Sequence, residues 1–292
     1  MKDLVARAAL FSAIEAGHTF WSQEIFKLGA LEVHEKLIKG GYEHTKHEKL
    51  VSVLQSTSGE KVIESISTHG AQLLTPQDLN WPEQLNDLAN PPIALVVKGN
   101  VHALKIPSLA IVGTRNPTSY GARIAGDFAA GFVDREWAVV SGGAYGIDSY
   151  AHKGALIAEG VTIAVIACGV DINYPAGNAR LFLEICESGA IVSEFVPGQR
   201  AMPNRFLTRN RLIAALSKAT LVVEAAFRSG SLRTARDAAE LFRPVMAIPG
   251  AINSPTSEGC HRLIGERCAE IVTSVADAVE FVGVHSGQTV RE

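Results

Sequence analysis

The sequence lacks most of the signatures of covalent chemistry or a special environment. Its 292 residues hold only four cysteines, Cys168, Cys186, Cys260 and Cys268, with no CxxC spacing. That excludes a disulfide framework or a thiolate metal site and leaves reduced thiols. Neither charge sign dominates: 27 Lys+Arg stand against 30 Asp+Glu, a formal net charge of −3, which excludes a polycationic tail. No apolar run approaches the roughly 18–20 residues needed to span a bilayer, and MKDLVARAALFSAIEAGHTF at the N-terminus has neither an uninterrupted apolar stretch nor a cleavage site. These absences point to a soluble, cytoplasmic protein with no membrane partner. Apolar residues are plentiful: 47% hydrophobic against 20% charged suffices for a packed core in one large domain or two smaller ones.

Residues 1–70 place Leu4, Ala8, Phe11 and Ile14, then Ile25, Leu28, Leu31 and Val33, at helix-compatible intervals, which predicts a small helical domain. His34, His44 and His47 have no acidic or thiol partner at ligand spacing, so they read as a solvated helix face and no metal is expected. Turn signals between Leu73 and Gly99 bracket one strand at 93–97. From Ser108 onward, apolar runs at 109–112, 138–140, 162–166, 191–192, 220–223 and 245–248 alternate with helical patterns. The expectation is an α/β domain over 71–285 with a mainly parallel sheet covered on both faces, then a polar tail over 286–292. Ligands of such sheets bind outside the carboxyl ends of the strands.

Those junctions carry the polar residues. After the first strand of the alternation, Gly113-Thr114-Arg115 allows a tight turn and supplies a planar cation suited to phosphate, with Ser119 placed to cap the next helix. After the second, Gly142, Gly143 and Gly146 permit a nest of backbone donors at a helix start, with Asp148 capping or orienting the loop. The spacing is neither GxGxxG nor GxxxxGK[ST], which argues against a dinucleotide fingerprint and a P-loop. The third junction leads to Asn178 and to Arg180, a cation near a helix start and so better tolerated beside an anion. The last carries Ser229-Gly230-Ser231, another anion-binding turn without the Gly-x-Ser-x-Gly elbow of a nucleophile.

Residues 200–243 hold nine Lys+Arg and three acids, a local balance of +6 inside a chain of −3, which suggests a footprint for a polyanion. Within it, Phe206 precedes Arg209-Asn210-Arg211, an aromatic close to cations as in single-strand binders. Glu224 is the one strand-end acid able to do general acid or base work, and anchoring a loop is its expected role. His152 reads as a packed residue.

Together IVGTRNPTSYG, SGGAYGIDSYAHKGAL, TIAVIACGVDINYP, FLTRNRLIAALS, LVVEAAFRSGSLRTARDAAE and AIPG, collinear from about Gly70 to Val272, closely resemble the DNA-processing protein A family, also called DprA or Smf. The resemblance implies an extended Rossmann-like domain that binds single-stranded DNA without hydrolysing it. It also implies protection of incoming strands during natural transformation, loading of the RecA recombinase, and a homodimer. Position by position, Gly113, Thr114, Arg115, Ser119, Gly142, Gly143, Gly146, Arg209, Asn210, Arg211, Ser229, Gly230 and Ser231 match DNA-facing motif positions, Phe206 is the stacking candidate, and Arg180 follows the YPxxN segment. No catalytic residue, metal or cofactor is implied. Two expectations concern the ends: a helical N-terminal domain related to helix-hairpin modules, and no C-terminal winged-helix domain.

The competing reading is a nucleotide-processing enzyme of the phosphoribohydrolase type, hosted by the same architecture. Its PGGxGTxxE motif is absent, since Pro249-Gly250-Ala251 lacks the rest. A nicotinamide oxidoreductase fails for want of GxGxxG.

Overall fold

The structure, a computed structural model, describes residues 1–286; the polar tail beyond Ser286 lies outside the described residues. Helices α1 (Lys2–Ala13), α2 (Thr19–Leu28), α3 (Ala30–Ile38), α4 (His44–Ser56) and α5 (Gly59–Thr68) come first. The apolar stripes of α1 to α4 converge on a core that includes Leu10, Trp21, Ile25, Val33, Leu37 and Leu54, as one-sided helical periodicity requires. His47, expected on a solvated face, instead meets the Trp21 ring edge-on, 4.9 Å between centroids.

The sheet comprises β1 (Ala71–Leu74), β2 (Leu95–Gly99), β3 (Ser108–Val112), β4 (Ala138–Ser141), β5 (Thr162–Ile166), β6 (Ala190–Ser193), β7 (Ala219–Val222), β8 (Val245–Ala247) and β9 (Glu270–Ile271). Among the described residues these nine strands run in the order β1-β2-β6-β5-β4-β3-β7-β8-β9. The sheet is mainly parallel; β1 pairs antiparallel with β2, and β2 antiparallel with β6. Of this antiparallel edge, β2 overlaps the strand expected at 93–97, whereas β1, four residues with one buried side chain, carries too little pattern to be read.

Alternate residues of the central strands point to opposite faces. Leu109, Ile111, Val139 and Leu221 meet Phe128 and Phe132 of α6 (Ser119–Val133) and Ile147 and Ala151 of α7 (Ile147–Ile157), with Ala278 and Val282 of α12 (Val275–Ser286). On the other face Ala110, Val112, Val140 and Val222 meet α9 (Pro203–Leu216), α10 (Ser231–Glu240) and α11 (Glu258–Gly265). The remaining helix, α8 (Ala179–Ser188), packs Phe182 and Ile185 on Ala164 and Ile191 in a cluster that also holds Phe11 and Ile66 of the helical segment.

From β3 the chain winds outward through β4 and β5 to β6, returns along α9, and enters β7 on the other side of β3. The two strands are bonded in parallel from Leu109↔Ala219 to Val112↔Val222. Strand order therefore reverses between β3 and β7, and a crevice opens beyond their carboxyl ends.

Candidate nucleic-acid interface

A cleft of about 680 Å³ occupies that crevice. One wall is Gly113-Thr114-Arg115 after β3, the other is Ala226 to Ser231 after β7, and α9 contributes Phe206, Leu207, Arg209 and Asn210. Three arginines, Arg115, Arg209 and Arg228, face it against one carboxylate, Asp148. At its edge an aromatic pair forms: Tyr174 lies 5.4 Å from Phe206 between ring centroids. The exposed Arg115 guanidinium is 5.4 Å from the Phe206 ring, within cation–π range.

Arg209 forms part of the floor rather than the rim. It is 5% exposed, and its Nη1 donates to the Val165 carbonyl at 2.9 Å. Its Nε is buried without a partner among the described residues. Burial pulls its guanidinium down to about 10, opposed by Asp148 and reinforced by the nearby charge of Arg115. Burial raises the Asp148 carboxyl, against the pull of Arg209.

The three glycine- and serine-rich turns differ in what fills them. At Gly142 to Gly146 the anion is internal: one carboxylate oxygen of Asp148 accepts the N–H groups of Gly142 at 3.1 Å and Ala144 at 3.3 Å. The glycines here serve close packing. A Cβ on Gly142 would lie 1.8 Å from Arg209 Nη1, and one on Gly143 would lie 2.7 Å from the Phe182 ring. Gly146, at φ +80°, would press a Cβ to 2.4 Å from the Thr114 carbonyl oxygen.

The start of α6 is also filled. Glu224 accepts the Thr118 N–H at 2.9 Å and the Thr118 hydroxyl at 2.6 Å, and its own carbonyl accepts the Thr114 N–H at 2.6 Å. It thus anchors the loop. Ser119, expected as the cap, is already the first helical residue and is exposed. Thr118 takes that role because its backbone is extended, at φ −71° and ψ 167°, so its Oγ1 can accept the Gly121 N–H at 3.1 Å.

The turn at Ser229-Gly230-Ser231 bonds to no carboxylate among the described residues; its Ser231 N–H donates to the Ser229 hydroxyl at 3.3 Å. The two hydroxyls bond each other at 2.7 Å, the Asn210 amide donates to the Gly230 carbonyl at 3.2 Å, and Arg228 is exposed beside them. Gly230 has φ −63°, and a Cβ there would meet nothing within 4 Å.

The fold brings Gly113, Thr114, Arg115, Phe206, Arg209, Asn210, Ser229, Gly230 and Ser231 to one cleft. Other candidates lie elsewhere. Gly142 backs Arg209, Gly146 backs Thr114 and Arg115, and Gly143 packs on Phe182 of α8. Arg180 projects into solvent, paired with Glu184 at 2.8 Å on the same helix. Arg211 points away from the cleft, where its Nη2 bonds both oxygens of buried Glu194 at 2.6 and 2.7 Å. The basic balance of 200–243 also shrinks on folding. Five of its arginines pair with acids: Arg205–Glu15, Arg211–Glu194, Arg233–Asp237, Arg236–Glu266 and Arg243–Asp87. Four of these five acids lie outside the segment. Residue reasoning passed over Tyr174 and Arg228 as site residues, although an exposed aromatic after a strand and a cation beside a Ser-Gly-Ser turn were readable signals.

Fold and cleft define a doubly wound, Rossmann-like α/β protein with an arginine-lined crevice at its switch point. The chain belongs to the DNA recombination-mediator protein A family, whose sequence model matches residues 72–283. It is 40% identical over 276 residues to the putative DNA processing protein DprA of Mycobacterium tuberculosis, covering 89% of this chain and 70% of that one. It is 44% identical over 216 residues to protein Smf of Escherichia coli, covering 73% and 58%. The structure of DNA processing protein A from Streptococcus pneumoniae superposes with a TM-score of 0.82 at 32% identity, over 93% of this chain and 95% of that one. That of Helicobacter pylori, described for its single-stranded DNA binding mode, gives a TM-score of 0.67 at 29% identity, over 76% and 99%. No helix among the described residues is long and apolar enough to cross a membrane.

Proposed function

We propose that the chain binds single-stranded DNA in the switch-point cleft and acts as a recombination mediator. On this reading it shields incoming strands during natural transformation and helps load the RecA recombinase, as a cytoplasmic homodimer that does no covalent chemistry. The observation that carries the reading is the pairing of an open, carboxylate-free Ser229-Gly230-Ser231 turn with Arg115, Arg228 and the Phe206–Tyr174 rings around one crevice. Phosphates suit the turn and the arginines, and bases suit the rings, with no hydrogen-bond readout needed. The single-stranded DNA binding of the Helicobacter pylori relative supports the choice of strand. In this scheme residues 1–70 are a separate helical domain and residues 71–285 the DNA-binding domain.

An anisotropy titration of a labelled mixed-sequence oligonucleotide, single-stranded and duplex, at two salt concentrations with mononucleotide competitors tests the proposal. Tight, salt-sensitive preference for the single strand that mononucleotides do not abolish is expected. Absence of binding, or full competition by one nucleotide, would replace the proposal with a nucleotide-processing enzyme.

A further inference from the structure

Helix α9 has two working faces. Phe206, Arg209, Asn210 and Ile213, at helical spacing, look into the cleft. Arg205, Thr208 and Arg211, three apart, look the other way, and the loop joining α1 to α2 meets them there. The Glu15 carboxylate takes two hydrogen bonds from Arg205, from Nε at 2.7 Å and Nη2 at 2.9 Å. Arg205 is otherwise fixed: its Nη1 donates to the Arg200 carbonyl at 2.9 Å, and its guanidinium lies 4.4 Å from the Phe195 ring centre. Two residues on, Gly17 has φ +74° and backs so closely onto α9 that a Cβ would stand 2.5 Å from Thr208 Cγ2 and 3.4 Å from Arg211 Nε. Asn90 pins the Gly17 carbonyl at 2.8 Å, so the loop is held from behind as well.

The sequence neighbour of Arg205 is Phe206, the ring shared by Tyr174 and Arg115. The attachment of the helical segment is therefore one residue from the aromatic edge of the cleft. We infer that Glu15, through Arg205, is a positioning residue for strand binding: the α1–α2 loop sets the seat of α9, and so of Phe206, without touching the strand.

This rests on the single-strand reading above, and the electrostatics make the sign of the effect diagnostic. Glu15 is about half exposed, and removing an anion from a DNA-binding protein tightens binding when charge alone is at work. A positioning role predicts the reverse.

The test uses the full chain and an oligothymidylate carrying one 2-aminopurine, read by anisotropy for affinity and by base fluorescence for stacking. The wild-type titration comes first, since its failure would sink the single-strand reading itself. With wild-type binding established, Glu15→Ala is expected to weaken affinity about five-fold, at the low end of measured coupling between sites. It should also reduce the 2-aminopurine quench while the salt slope is unchanged, because no phosphate contact is lost. Arg205→Lys, which keeps the charge but loses the two-pronged geometry, should do the same. The double variant should then be no worse than either single one, as expected of residues acting through one pair. Circular-dichroism melts of all three variants confirm that the folded protein is being compared. Unchanged or tighter binding by Glu15→Ala, a loss with the quench intact, or additive effects in the double variant would each overturn the inference.

Discussion

The turns after β3 and β4 and the turn after β7 share a texture of Gly, Ser and Thr at a strand-to-helix junction, yet the first two hold an anion belonging to the protein and the third does not. Asp148 fills one and Glu224 the other. A helix start rich in small residues is thus a socket, and an internal carboxylate decides whether anything external can enter it. In the filled turns the glycines admit neighbouring protein atoms at distances no Cβ tolerates; at Gly230 the space stays open.

That contrast can be broken most forcefully at Asp148. Replacing it with alanine strands the buried Gly142 N–H and the part-buried Ala144 N–H and removes the carboxylate offsetting Arg209, so Asp148→Ala should destabilise the fold by about 3 kcal/mol, measured by urea denaturation. Near-wild-type stability would mean the turn is not held by its own anion. Glycine substitutions sharpen the same comparison. Gly146→Ala, strained in φ and driven against a backbone carbonyl, should cost about 1–3 kcal/mol. Gly230→Ala should change stability by less than about 0.5 kcal/mol while weakening single-strand binding; equal losses of stability in both would erase the distinction. The smallest effect is expected at the rim. Arg115→Ala should leave the melting temperature unchanged and lower the salt slope of single-strand binding by about 0.7 for one lost phosphate contact. An unchanged slope would leave Arg115 as a prop for the Phe206 ring.

Much of this was legible in the residues. Apolar runs such as 162–166 fall inside strands because a sheet covered on both faces needs unbroken apolar residues. The turns at 113–115 and 229–231 fall at the strand ends that flank the crevice. What could not be read was pairing over distance. Thr118 and Glu224 stand 106 residues apart, and the acids that neutralise Arg205 and Arg243 lie 190 and 156 residues away. For that reason Arg211 looked like a free cation when it is half of a buried ion pair, and the motif RNR splits, with Arg209 and Asn210 at the cleft and Arg211 behind it. Ser119 and Thr118 differ by one position, which composition cannot resolve; the extended backbone of Thr118 does.

The ion pairs that tie residues 200–243 to Glu15, Asp87, Glu194 and Glu266 also offset four of the six excess positive charges of that segment. Those arginines are struts only while the fold lasts. On denaturation the partners separate and the segment regains its own balance of nine cations to three acids, a stretch of +6 inside a chain of −3. Keeping the chain folded is then also what keeps that charge masked.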